Sequence, residues 1–74
     1  MGQGIKKDQI ISVVIYHIVG DDVGFVFKTN SGSLRLYKCN KNYNKICNHV
    51  KLNNIHHLKI VKHDDFYIIK DIII

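Results

Sequence analysis

Apolar positions alternate with a period of two through most of the chain and switch to a period near 3.6 in one segment, which predicts a β-rich domain with a single helix. Gln9 to Val19 is nearly continuous isoleucine and valine with one tyrosine, the pattern of a long strand buried on both sides for part of its length. Gly20-Asp21-Asp22-Val23-Gly24 then supplies turn chemistry, and Phe25 to Thr29 reads as a second strand. Asn30-Ser31-Gly32-Ser33 repeats the turn signal. Leu34 to Cys39 alternates cleanly, with Leu34 and Leu36 on one face and Arg35, Tyr37 and Cys39 on the other.

Beyond Asn40 the period changes. Tyr43, Ile46, Cys47 and Val50 fall at i, i+3, i+4 and i+7, one face of a helix, and Asn40 or Asn42 is placed to cap it. On that face Cys47 is expected in the core. Asn53-Asn54 ends the segment. Ile55 to His63 reads as a fourth strand with Leu58 and Ile60 inward and Lys59, Val61 and His63 outward. After the Asp64-Asp65 turn, Phe66 to Ile74 forms a fifth strand that is apolar on both faces, so it is expected to be covered inside the sheet, under the helix or by another chain. Strict alternation puts Ile69, Asp71 and Ile73 on one of those faces. Leu34, Leu36, Ile46, Val50, Leu58 and Ile60 are the expected core. Residues 1–8 read as a flexible N-terminal arm and residues 9–74 as a single domain.

Three strands, a helix and two more strands, with Gly24 to Leu36 forming two strands around a polar glycine turn, resemble the OB-fold in element order. The resemblance implies an α+β, mostly β, five-strand OB-like small barrel with one helix between strands 3 and 4. It also implies a ligand face on strands two and three framed by the loops joining strands one to two and four to five. It extends to topology and to no family signature, and an SH3-like barrel is the alternative that the helical period at 43–50 disfavours.

Composition sharpens this picture in two ways. The chain has 74 residues, 13 of them isoleucine, with no alanine, proline, tryptophan or glutamate, which favours strands over helices. Ten lysines against one arginine, with seven asparagines, match A/T-rich codons and a low-GC genome. A net charge of +5 favours anionic partners such as nucleic acid, and it serves solubility equally well. The chain shows no signal-peptide pattern and no apolar run of the ~20 residues that span a bilayer, and its two cysteines are too few to staple a secreted miniprotein. An intracellular, cytoplasmic setting without a membrane span is expected. Met1-Gly2 opens like a myristoylation signal, but Lys6 stands where Ser or Thr is required.

Phosphate binding needs cations along a groove, and single strands also need aromatic planes for stacking. Lys28, Arg35, Tyr37 and Lys38 lie on or beside strands two and three, and Lys59, Lys62 and Tyr67 on the later hairpin. The plainer reading of the same residues is a solvated basic face, and Asp21-Asp22 and Asp64-Asp65 place negative charge on the framing loops. Cys39, Cys47, His49, His56, His57 and His63 are potential metal ligands, but their spacing fits no compact zinc turn. A Cys39–Cys47 disulfide is sterically possible and disfavoured in a reducing compartment. No phosphate loop, nucleophile elbow or cofactor motif occurs, so neither an enzyme nor a cofactor is expected. The leading reading is a small nucleic-acid-binding module using Lys28, Arg35, Tyr37, Lys38, Lys59, Lys62 and Tyr67. The alternative is a protein-interaction module, a homodimer or an inhibitor such as a phage or plasmid product acting on a host factor, using Ile69, Asp71, Ile73 and the acidic turns.

Overall fold

The computed structural model describes residues 7–74; the greater part of the expected arm and the Met1-Gly2 signal lie outside them. Five strands and one helix follow in the order β1 (Gln9–Asp21), β2 (Gly24–Thr29), β3 (Gly32–Tyr37), α1 (Tyr43–His49), β4 (Ile55–His63) and β5 (Phe66–Ile73). The strands close into a barrel in the order β1-β2-β3-β5-β4. All neighbours are antiparallel except β3 and β5, which run parallel over the short ladder Leu34↔Tyr67 and Arg35↔Ile68. The fold is thus α+β, mostly β, an OB-fold-like small barrel with its single helix between strands 3 and 4.

Closing so few strands requires strong curvature, and two bulges supply it. The 13-residue β1 serves two partners: Gln9–Val14 pairs with β4, and Ile15–Asp21 pairs with β2. Between them Ile15 faces Thr29 and His17 faces Lys28, which leaves Tyr16 as the extra residue. The bulge shifts parity, so Ile11, Val13 and Ile15 turn inward before it and Ile18 after it. In β5, Ile69 pairs with Ile60 and Asp71 with Lys59, so Lys70 is extra. Strict alternation therefore fails there. Ile69 and Ile72 are both in the core, whereas Ile73 stands outside with Phe66 and Ile74, which corrects the expectation that Ile69 and Ile73 share a face and leaves those three uncovered by this chain's own sheet and helix.

The core contains Val13, Ile15, Phe27, Leu34, Leu36, Ile46, Leu58, Ile60, Ile69 and Ile72. Five of the six expected positions are among them, while Val50 is half-buried at its edge. The helix has seven residues and closes the barrel with Ile46, flanked by Tyr43 and Val50. Tyr43 stacks parallel to Phe25 at 6.0 Å between ring centroids. So short a helix covers only a narrow stripe, and Cys47, expected in the core, is exposed. Cys39 is exposed as well, because β3 ends at Tyr37 and the chain turns away before it. Asn42 makes no side-chain cap; instead Asn40 Oδ1 accepts the Asn42 N–H at 2.7 Å.

Glycine is required at the β1–β2 turn. Gly24 has φ 152°, and a Cβ there would run into the carbonyl oxygen of Leu36 on β3. Its absence lets β2 and β3 approach closely at the end of the barrel that carries Arg35 and Tyr37. The opposite turn is closed by Thr29, whose buried Oγ1 donates to the Gly32 carbonyl at 2.7 Å and accepts the Ser31 N–H at 3.0 Å.

Candidate nucleic-acid interface

Strands β2 and β3 turn Phe27, Leu34 and Leu36 inward, so alternation sends Val26, Lys28, Ser33, Arg35 and Tyr37 to the outer surface. Val26 lies opposite Arg35 and Lys28 opposite Ser33, with Lys28 Nζ donating to Ser33 Oγ at 3.3 Å. On the other side Arg35 neighbours Ile68 of β5. Because the β3–β5 ladder is so short, a pocket of about 290 Å³ opens along it, lined among others by Val26, Arg35, Tyr37, Phe66 and Tyr67.

The electrostatics of this face centre on Arg35. Its guanidinium lies over the Tyr37 ring at 5.5 Å and donates in bidentate fashion to Asp21, Nη1 to Oδ1 at 3.0 Å and Nη2 to Oδ2 at 2.7 Å. Asp21 Oδ1 also accepts the N–H groups of Val23 and Gly24, each at 3.0 Å, so one carboxylate closes the turn and fixes the arginine. The hydrogen bond from Arg35 and those from the Val23 and Gly24 amides hold the Asp21 carboxyl at about 2 despite partial desolvation. The same pairing holds Arg35 above its ordinary value. Asp21 therefore does not repel an approaching phosphate with a free charge; it is neutralised by the residue that it positions.

Arg35 and Tyr37 line the pocket from the sheet surface, Tyr67 lines it from β5 while packing partly against the core, and Lys28 stands beside it on the same sheet surface. Lys38 is exposed at the end of β3, its N–H donating to the Val23 carbonyl at 2.8 Å. Lys59 lies elsewhere, across β5 from the pocket, paired in register with Asp71. Lys62 is exposed near the β4–β5 turn, beside Lys7 and Asp64. Of the alternative set, Ile69 is fully buried, Asp71 accepts from Lys45 Nζ at 2.9 Å, and Ile73 is partly exposed. Phe66 and Val26 were not singled out from the sequence. The adjacency of Phe66 to Tyr67 was the available signal, and Phe66 packs edge-on to His63 at 5.5 Å. Among the described residues no group of three histidine, cysteine or aspartate side chains could hold a metal ion, and no helix is long and apolar enough to cross a membrane.

These features define an OB-fold-like small barrel with an open pocket beside its β2–β3 surface. No family model, curated protein or solved structure matches the chain.

Proposed function

We propose that this barrel is a binding module for single-stranded nucleic acid, with no catalytic step. The observation that carries the reading is the convergence of Tyr37, Phe66 and Tyr67 with Arg35 on one open pocket beside the β2–β3 surface, in a chain of net charge +5. Aromatic planes accept bases of any sequence, and the planar guanidinium of Arg35, held over Tyr37 and paired with Asp21, extends the stacking platform. Lys28 and Lys38 supply phosphate contacts at its margins. An intracellular setting suits two exposed thiols. Fluorescence anisotropy with labelled single-stranded and duplex oligonucleotides tests the reading. Single strands should bind more tightly than duplex, and Tyr37→Ala should weaken them while leaving the fold intact. No binding of either at low salt overturns it.

A second reading rests on a different surface. The outer face of β1, β4 and the end of β5 leaves Ile10 63%, Ile55 68% and Ile73 42% exposed, with Ile74 at 79% just beyond. In register, Ile73 sits opposite His57, which lies opposite Ser12, and Ile55 lies opposite Val14. Such a face fits a second copy of the chain or another protein. Sedimentation at tens of micromolar decides: a dimer that Ile73→Asp dissociates supports this reading, and a wild-type monomer removes the homodimer.

A further inference from the structure

Resting on the nucleic-acid reading, we propose that the bound strand runs along β5 from the aromatic pocket to a lysine-lined hollow at the β5 bulge. Three hollows adjoin one another along that path. The first is the aromatic pocket. The second, about 390 Å³, shares Tyr37 with it and adds Cys39, Lys41, Ile68 and Lys70. The third, about 260 Å³, shares Lys41 and Lys70 with the second and adds Lys59 and Asp71. Together they follow β5 from Phe66 to Asp71, on the order of 16 Å at the rise of a strand, a length that accommodates a few nucleotides.

The groove exists because β3 ends at Tyr37 while β5 continues. Among the described residues no strand pairs on that side of β5 beyond Ile68, and the β5 bulge falls at Lys70. Asn40 Nδ2 donates to the Ile69 carbonyl at 2.9 Å, and Asn42 Nδ2 donates to the Lys70 carbonyl at 3.0 Å. Two side-chain amides thus take the place of a strand, leaving a channel with a satisfied floor. The channel is polarised. At the aromatic end Asp21 neutralises Arg35, so stacking dominates. At the far end Lys45 occupies Asp71, and Lys41, Lys59 and Lys70 supply cationic charge in excess of Asp71 and Asp8. Bases would stack at the first end while phosphates reach the second. This arrangement gives Lys59, distant from the β2–β3 surface, a place on the ligand's path.

Cys39 lines the middle of the path and Cys47 a separate hollow formed with Ile18, Phe25, Phe27 and Val50. Both thiols are exposed, so each chain carries its own control. The test is the rate of N-ethylmaleimide alkylation at each cysteine, read by peptide mass spectrometry. The chain is taken with and without a saturating oligothymidine of about 12 nucleotides. Anisotropy on the same sample reports binding independently. Cys39 should be protected several-fold and Cys47 unaffected. Lys41→Glu and Lys70→Glu, each checked for folding by circular dichroism, should weaken binding and each lower its salt slope by about 1, whereas Lys51→Glu should not. Binding without selective Cys39 protection overturns the path and leaves the nucleic-acid reading standing. Absence of binding overturns both. Protection of Cys39 by an oligo-aspartate peptide but not by oligothymidine assigns the groove to an acidic polypeptide and overturns the proposal.

Discussion

The face built by β2, β3 and the first half of β5 differs from the face built by the first half of β1, β4 and the end of β5. On the former, outward positions carry an arginine fixed by a carboxylate, aromatic rings and a hydrogen-bonded lysine. On the latter, Ile10, Ile55 and Ile73 stand around the Ser12 Oγ–His57 Nδ1 contact at 2.7 Å, with Lys59 in register opposite Ile10 and Asp71. Both faces cover the same core, so the core does not dictate the difference. Covering a large aliphatic side chain is worth about 1.5–3 kcal/mol, and each exposed isoleucine leaves part of that unrealised. On the proposed reading the first face meets a polar, planar ligand, and the second presents exposed isoleucines that an additional protein contact would cover.

The largest expected effect breaks both faces at once. Ile46 is fully buried where the helix closes the barrel, so Ile46→Ala should cost about 2–5 kcal/mol, read as a lower urea midpoint. In a domain of this size that is a large share of total stability. Oligonucleotide binding and any self-association should disappear together.

Tyr37→Ala should separate the faces. Loss of a stacking platform weakens binding by about 1–3 kcal/mol, measured by anisotropy, with sedimentation behaviour unchanged. Ile73→Asp should do the reverse, abolishing self-association with oligonucleotide affinity retained. If either substitution moves both readouts in a folded protein, the two faces are coupled.

Arg35→Ala has a signed outcome, because it removes a cation and leaves the Asp21 carboxylate uncompensated beside the pocket. Affinity should fall, and Asp21→Asn in the same chain should restore part of it. The smallest expected effect is on acid stability. The Asp21 carboxyl titrates at about 2 in the folded chain, below its ordinary 3.8, so its pairing stabilises the fold above about pH 4 and is lost as pH falls toward 2. Melting temperatures followed from pH 5 to 2 should fall less steeply in Asp21→Asn than in the wild type.

Strand order, the helix position and most of the core were legible in the sequence because alternation and the 3.6 period survive wherever a strand has one buried face, whereas turn residues hid the ends of β1 and β3, which take in Gly20–Asp21 and Gly32–Ser33 and leave Cys39 out. Alternation failed at the bulges. Tyr16 and Lys70 each shift parity by one residue, and a run of isoleucines and valines carries no mark of where that shift occurs. Cys47 was misplaced because apolar spacing does not report that a seven-residue helix buries only a narrow stripe. In the candidate site, Arg35 and Tyr37 were readable as neighbours on one strand face. The bidentate Arg35–Asp21 pair was not, since it joins residues on different strands whose approach depends on the closure at Gly24. Asp21 therefore read as an obstacle to phosphate when the folded chain uses it to hold the arginine.

The most direct test of the central claim is the affinity of the intact chain for a single-stranded oligonucleotide between about 50 and 200 mM salt. Binding that neutralises phosphates releases counterions, so log affinity should fall linearly with log salt, while stacking on Tyr37, Phe66 and Tyr67 leaves a residual affinity at the upper end. An affinity that does not change across that range, or no binding at its lower end, would contradict the account.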